Sequence, residues 1–378
     1  MIIGVDAYYL YARQIDGLGT YLLRLLEELS RVDRVNEYLL YTPGVTHEKR
    51  AKKILSNPRF RLSIVPGVFS DHRRLWLQSP SLRSRIIKDN LDLFFAGAEY
   101  FPLFIPRVIP VAVTIHDVAY RAVPGAISFS NKLFYRLFFP LFIRRADHFF
   151  TVSRHSRDEL VRYLGIDRTR IIVIHNGIDL DSFHPAGKNG KKDYILFVGT
   201  LQPRKNLLNL VRAFELIAGS IPHRLLIVGG SGWKNSPLRD LIEGLEPSVR
   251  EKIVFKGYVD GQELGTLYRE AALFTLLSLH EGFCLPILEA LASGTPALAS
   301  PVTAIPEVYG DAIEYADPLL PGDIAEKIYG LLTDTDRLDF FREKGLALSR
   351  TYGLGAQANA YLSAFNAIGT TRVCGEEK

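Results

Sequence analysis

The chain of 378 residues is poor in cysteine, with Cys284 and Cys374 alone, and Cys374 falls in a polar tail. That excludes a disulfide framework and a cysteine metal site, and it suits a reducing compartment. A membrane-spanning run is also missing, since a span takes roughly 20 apolar residues. The most apolar stretch, Leu133 to Ile143, is 11 residues long and is interrupted by Arg136 and Pro140. Met1-Ile-Ile-Gly-Val-Asp6 already has a strand pattern and lacks the basic and apolar regions of a secretory signal. The expectation is therefore a cytoplasmic protein. No low-complexity tract and no repeat of solenoid period is present.

What remains is ordinary globular material. A content of 47% apolar and 23% charged residues excludes a disordered chain, and the length allows two domains with full cores. Charge is uneven: residues 1–175 carry 26 Lys and Arg against 16 Asp and Glu, net +10, which leaves net −5 for the remainder. A basic first half suits anionic headgroups, nucleic acid or phosphorylated substrates, and equally a solvated surface without a partner.

Short β-rich runs alternate with helical patterns, which implies parallel sheets with helices on both faces. In the first half, residues 2–6, 38–41, 91–95, 111–115 and 148–152 read as strands, and Leu22, Leu26 and Leu29 mark one face of the first helix. A second series runs through 194–198, 225–228, 253–255, 273–276 and 296–299. The turn-rich stretch from Asn176 to Pro185 and the polar residues 186–192 form the natural linker.

Ligands of open α/β sheets bind outside the carboxyl ends of the strands, so the loops there are where chemistry belongs. After the first strand, Gly17 and Gly19 open a helix expected to begin near Tyr21, where their backbone amides suit a phosphate. A plain turn explains the pair equally. Leu22 stands where a dinucleotide fingerprint needs its third glycine. His116 and Asp117 end another strand, placed to hold a sugar hydroxyl or share a proton, with a structural histidine as the other reading. Arg204 and Lys205, beyond Gly199, supply a fork and a point charge suited to a diphosphate. Two further strands end in the runs from Val228 to Gly232 and from Gly257 to Val259, in the manner of a base pocket.

The segment 278–300 carries the most information. Glu281 precedes a helix and Glu289 lies within it, Pro286 suits the first helical position, and Gly294 stops the helix. The free amides of that first turn are a ready anion site, and carboxylates on either side suit a ligand with hydroxyls at both ends.

In combination these pieces resemble the family 4 glycosyltransferases of GT-B fold. The resemblance rests on Gly17-Leu-Gly19, Thr114-Ile-His-Asp117, Thr151 to Ser156, His175-Asn-Gly-Ile-Asp179 with Phe183 and Pro185, Gly199 with Arg204-Lys-Asn206, and Glu281-Gly-Phe through Pro286 and Glu289. It implies two Rossmann-like doubly wound parallel-sheet domains facing a central cleft. The acceptor-side domain would be 1–180, the donor-binding domain 181–351, and a helix of 352–368 would cross back to the first.

It further implies that Gly17 and Gly19 lie near the donor diphosphate and the acceptor and that His116 contacts the donor sugar with Asp117 beside it. Arg204 and Lys205 would bind the diphosphate. Glu281 would hold sugar hydroxyls and Glu289 the ribose, with Gly199, Gly282, Phe283, Cys284 and Leu285 lining the donor. The reaction implied is retaining hexosyl transfer without a metal or other cofactor. The family has glycine where Cys284 stands, and a cysteine is expected there only with a negative φ.

The run from His116 to Tyr120, then Leu133 to Ala146 and Ile305-Pro-Glu-Val308, look like bacterial polysaccharide mannosyltransferases. That favours GDP-mannose over a UDP-sugar as donor, a saccharide or lipid-linked acceptor, and no nucleic acid. Arg73, Arg74, Arg83, Arg85 and Lys88, with Leu133–Ile143, suit the inner face of an anionic membrane. An interior helix packed on the sheet explains Leu133–Ile143 as well.

Three alternatives compete. A glycosidase needs its carboxyl groups about 5–9.5 Å apart, whereas eight residues of helix rise roughly 12 Å. Asp179-Leu-Asp181 has the form of a metal-binding D-x-D but falls in the linker, without a His or Cys cluster beside it. A non-catalytic nucleotide-sugar binder is the third.

Overall fold

The computed structural model describes residues 1–12, 15, 17–44, 49–123, 129–185, 192–230 and 236–375. Asp16, linker residues 186–191, Ser231, Gly232 and the side chain of Cys374 lie outside the described residues.

Seven strands form the first sheet: β1 (Ile2–Asp6), β2 (Glu37–Thr42), β3 (Phe60–Ile64), β4 (Leu93–Ala96), β5 (Val111–Thr114), β6 (His148–Thr151) and β7 (Ile171–Val173). Six form the second: β8 (Lys192–Val198), β9 (Arg224–Val228), β10 (Ile253–Gly257), β11 (Ala271–Leu276), β12 (Ala297–Ala299) and β13 (Glu314–Tyr315). Their spatial orders are β3-β2-β1-β4-β5-β6-β7 and β10-β9-β8-β11-β12-β13. All the strand pairings are parallel. Strands covered on both faces read as unbroken apolar runs, as in Leu-Phe-Phe-Ala of β4, buried throughout. Both orders reverse once, between β1 and β4 and between β8 and β11. Those reversals are where an open parallel sheet leaves room for a ligand.

The chain divides into two compact units. One comprises Met1–Val118, Ser128–Gly177 and Leu354–Lys378, and the other Ala119–Ile127 with Ile178–Gly353. The helix Leu354–Gly375 starts later than the expected 352, because Tyr352 belongs to a preceding 3-10 turn. Its Ala358, Tyr361, Ala364, Phe365 and Ile368 join Leu22, Leu26 and Leu29 of the helix Gly17–Val32 in one core. Burying each large apolar side chain is worth about 1.5–3 kcal/mol. Tyr361 also shares hydrogen bonds with the hydroxyls of Tyr21 and Thr114.

Two local expectations change. The helix after β1 begins at Gly17 rather than near Tyr21, so Gly17 and Gly19 occupy its first turn. A Cβ on Gly19 would lie 2.7 Å from the side chains of both Ile15 and Tyr9, so close packing requires this glycine. The 133–143 stretch lies in the helix Phe129–Arg145, which packs one face and exposes the other rather than being wholly interior. Phe139 and Phe142 are buried, while Leu133, Leu137, Phe138 and Leu141 stand 46–57% exposed.

Candidate functional site

The second unit gathers three charged residues at its sheet reversal. Beyond β8, Pro203 opens a 3-10 turn that ends at Lys205, and Asn206 follows at φ 56. Asparagine tolerates that left-handed conformation better than most residues. The turn aims Arg204 and Lys205 at the loop after β11, the next strand in the sheet. Lys205 Nζ donates to Glu281 Oε1 at 2.6 Å, and Arg204 Nη1 lies 3.1 Å from the same oxygen. Arg204 Nη1 also donates to the His280 carbonyl at 2.8 Å, and the Leu279 amide donates to the Arg204 carbonyl at 2.9 Å. Glu281 is only 6% exposed. Burial pushes its carboxyl up, but Lys205 and then Arg204 outweigh that and hold it at about 2. Two cations on one carboxylate leave a net positive charge, the sign a diphosphate needs.

That state is wrong for a glycosidase acid, which needs a raised carboxyl. Glu289 is likewise engaged, accepting a 3.0 Å hydrogen bond from the buried Tyr268 hydroxyl. Burial, then Glu289, pushes the Tyr268 phenol well up, so it stays a donor. Asp179 is a turn residue, accepting from the Asp181 and Ser182 amides and from the Ser182 hydroxyl at 2.7–3.3 Å.

Between Glu281 and Glu289 the chain turns into the helix Leu285–Ala292, with Cys284 as its N-cap and Pro286 in its first turn. Cys284 sits at φ 76, ψ 63, so the expectation of a negative φ is overturned. The chain turns here in the conformation a glycine would adopt freely, with the Cys284 side chain buried. Burial, then Glu281, pushes the thiol up, which makes Cys284 a packed, unreactive group. The Tyr309 hydroxyl donates to the Cys284 carbonyl at 2.7 Å, and Phe283 packs edge-on against the rings of Tyr309 and Tyr352. Gly282 is buried beside them, and Leu285 is partly exposed at the helix start. Gly199 closes β8, where its amide donates to the Val228 carbonyl at 2.9 Å. A Cβ on neighbouring Gly229 would fall 2.0 Å from the Gly199 oxygen, so these two strand ends meet backbone to backbone.

The first unit has its own group at its sheet reversal. Asp6 ends β1, buried, with Arg73 Nη2 at 2.6 Å and Nε at 3.0 Å. Arg73 is thus an interior ion-pair residue and leaves the set of membrane-facing cations. Arg74 stacks at 4.6 Å over the rings of Tyr100 and Phe134, and Arg85 pairs with Asp89 at 2.9 Å. After β5, His116 Nε2 lies 3.2 Å from the Gly97 carbonyl. A carbonyl only accepts, so that nitrogen carries the hydrogen. The Tyr21 ring meets the imidazole edge-on at 4.5 Å, and the Ser156 hydroxyl donates to the His116 carbonyl at 3.4 Å.

Sequence reasoning overlooks Glu99, which follows β4 and interacts electrostatically with Asp117, Arg73 and Arg74. Burial first, then Asp117, pushes its carboxyl up to about 7 despite both arginines. The available signal was positional: Glu99 follows the strand beside β1, as Glu281 follows the strand beside β8.

Family models match both halves: residues 15–182 fit "Glycosyltransferase Family 4" and residues 180–347 fit "Glycosyl transferases group 1". The chain is 28% identical over 368 residues to the Escherichia coli protein described as O-antigen chain mannosyltransferase B, covering 89% of this chain and 92% of that one. Sucrose-phosphate synthase from Thermosynechococcus elongatus superposes with a TM-score of 0.74 at 19% identity, over 98% and 99% of the two chains. Anabaena HepE, solved with UDP-glucose, gives 0.70 at 16% identity over 96% and 99%. These likenesses assign the GT-B fold.

Proposed function

The chain belongs to the group 1, family 4 glycosyltransferases, and from that premise we propose that it transfers mannose from GDP-mannose to a saccharide or lipid-linked acceptor. The observation that carries this is the Arg204–Lys205–Glu281 cluster, a buried group of net positive charge at the end of β8 and β11. The likeness to an O-antigen mannosyltransferase supports mannose. A UDP-sugar is the second reading, favoured by the fold shared with HepE, which was solved with UDP-glucose.

In this reading, the bond from the sugar's anomeric carbon to the diphosphate oxygen breaks. Arg204, Lys205 and the amides preceding Pro286 take up the charge that develops on the departing phosphate. Preorganised donors of this kind often dominate catalysis. The acceptor hydroxyl attacks the face the phosphate leaves, and its proton passes to the phosphate oxygen, so configuration is retained. Two protein cations supply the charge compensation, and no metal enters the scheme. Glu281 fixes both cations and faces the sugar hydroxyls, while Tyr268 holds Glu289 for the ribose. Gly199, Gly282, Phe283, Cys284 and Leu285 shape the donor side, and Gly17, Gly19, His116 and Asp117 the sugar and acceptor side.

A lipid-linked acceptor would sit at a membrane surface. The exposed Leu133, Leu137, Phe138 and Leu141, with Arg136 and Arg144 exposed on the same helix, suit an anionic interface. No helix among the described residues is long and apolar enough to cross a membrane.

The test is a calorimetric screen of GDP-mannose, GDP, UDP-glucose and UDP, paired with transfer assays. GDP-mannose should bind best, and Arg204→Ala or Lys205→Ala should each slow transfer about tenfold to a hundredfold, the equivalent of one charge-assisted contact. Near-normal kcat in both variants would refute the cation assignment, and tighter binding of UDP-glucose would replace the donor. Donor binding with neither transfer nor hydrolysis would make the protein a non-catalytic binder.

A further inference from the structure

Strand order puts β12 on the other side of β11 from β8, so the loop carrying Glu281 lies between two others. On the β8 side it is held by Arg204. On the β12 side it is held by Thr303, whose hydroxyl accepts from the Glu281 amide at 2.9 Å and donates to the Glu281 carbonyl at 2.8 Å. One side-chain oxygen thus satisfies both backbone polar groups of a buried residue. The Ala304 amide adds a 3.4 Å contact to the same carbonyl, and the Ser300 hydroxyl donates to the Ser278 carbonyl at the base of the loop.

Thr303 makes these contacts from φ 51. A β-branched residue is a genuine outlier there, and such strain persists only where the surroundings over-determine it. Glycine would adopt this backbone without strain but has no hydroxyl. The folded chain thus tolerates a strained backbone at a position from which a hydroxyl grips Glu281.

We propose that Thr303 is a positioning residue for glycosyl transfer, holding the Glu281 backbone so that its carboxylate fixes Lys205 and Arg204 for the departing phosphate. The inference rests on the transfer reading above and adds to it a residue that acts through Glu281.

Three variants test it, each followed by melting temperature, kcat and KM, and amide exchange at Glu281. Thr303→Ser keeps the hydroxyl and should hold kcat within about twofold. Thr303→Gly relieves the backbone and loses the grip. It should melt at or above wild type, yet lose about tenfold or more in kcat with little change in KM, and its Glu281 amide should exchange faster. Thr303→Ala differs from the serine variant by one oxygen and gives the same comparison if the glycine variant folds poorly. A folded glycine or alanine variant with kcat within twofold of wild type overturns the proposal and leaves the transfer reading standing. If the wild type transfers nothing, the transfer reading fails, and Glu281 exchange alone decides whether Thr303 grips the loop. Unchanged exchange would then overturn that as well.

Discussion

Replacing Glu99 by glutamine should stabilise the protein at pH 8 far more than at pH 5. The folded carboxyl sits at about 7 against 4.5 when free, raised by burial and by Asp117. Between those values the folded chain binds more protons than the unfolded chain, so stability falls as pH rises through the window and levels off above it. A carboxyl held that far above its free value costs about 2–3 kcal/mol of stability at high pH, most of it lost between pH 5 and pH 8. Glutamine mimics the neutral carboxyl and removes that loss. For a unit of this size, the variant's gain at pH 8 should be roughly 5–10 °C in Tm. Urea and thermal unfolding of both proteins at pH 5, 6, 7 and 8 would read it. Parallel stability curves for variant and wild type would refute the reasoning, since Glu99 would then titrate alike in both states.

Two further predictions concern the other unit and the exposed helix. Cys284→Gly relieves about 1 kcal/mol of left-handed strain and forfeits a similar burial, so its Tm should stay within a few degrees of wild type. Cys284→Val should melt clearly lower, and equal melting of the two variants would contradict the observed φ. Leu137→Glu and Phe138→Glu should each reduce co-sedimentation with anionic vesicles severalfold while sparing kcat on a soluble acceptor. A wild type indifferent to anionic lipid would dispose of the membrane reading.

Much of this architecture was legible in the residues, and the exceptions have physical causes. Ten strands announce themselves as apolar runs because parallel strands are buried on both faces. The omitted ones have weaker signals: β13 spans only Glu314–Tyr315 and β7 only Ile171–Val173. β3, Phe-Arg-Leu-Ser-Ile, is an edge strand whose alternation with exposed residues hides it. Arg204, Lys205 and Glu281 are identifiable as separate loop residues, but their convergence on one oxygen depends on β8 and β11 being neighbours although 72 residues lie between the two strands. Arg73 looks like any surface cation until Asp6 is seen beneath it. Backbone angles are invisible in a sequence, so the positive φ of Cys284 and of Thr303 carries no signal there. Glu99 was passed over because a lone acid in an aromatic turn carries no motif.

The last helix has a consequence for how the protein comes into being. Tyr361 and Phe365 complete a core whose other walls are made by residues 3–174, yet the 176 residues from Ile178 to Gly353 are synthesised in between. At about 5–20 residues per second, that interval lasts roughly 10–35 s. Until then the contacts of Phe95 and Phe150 with Tyr361 and Phe365 cannot form. The first half of the chain therefore cannot complete its core until the last residues are made, and the final helix closes it last.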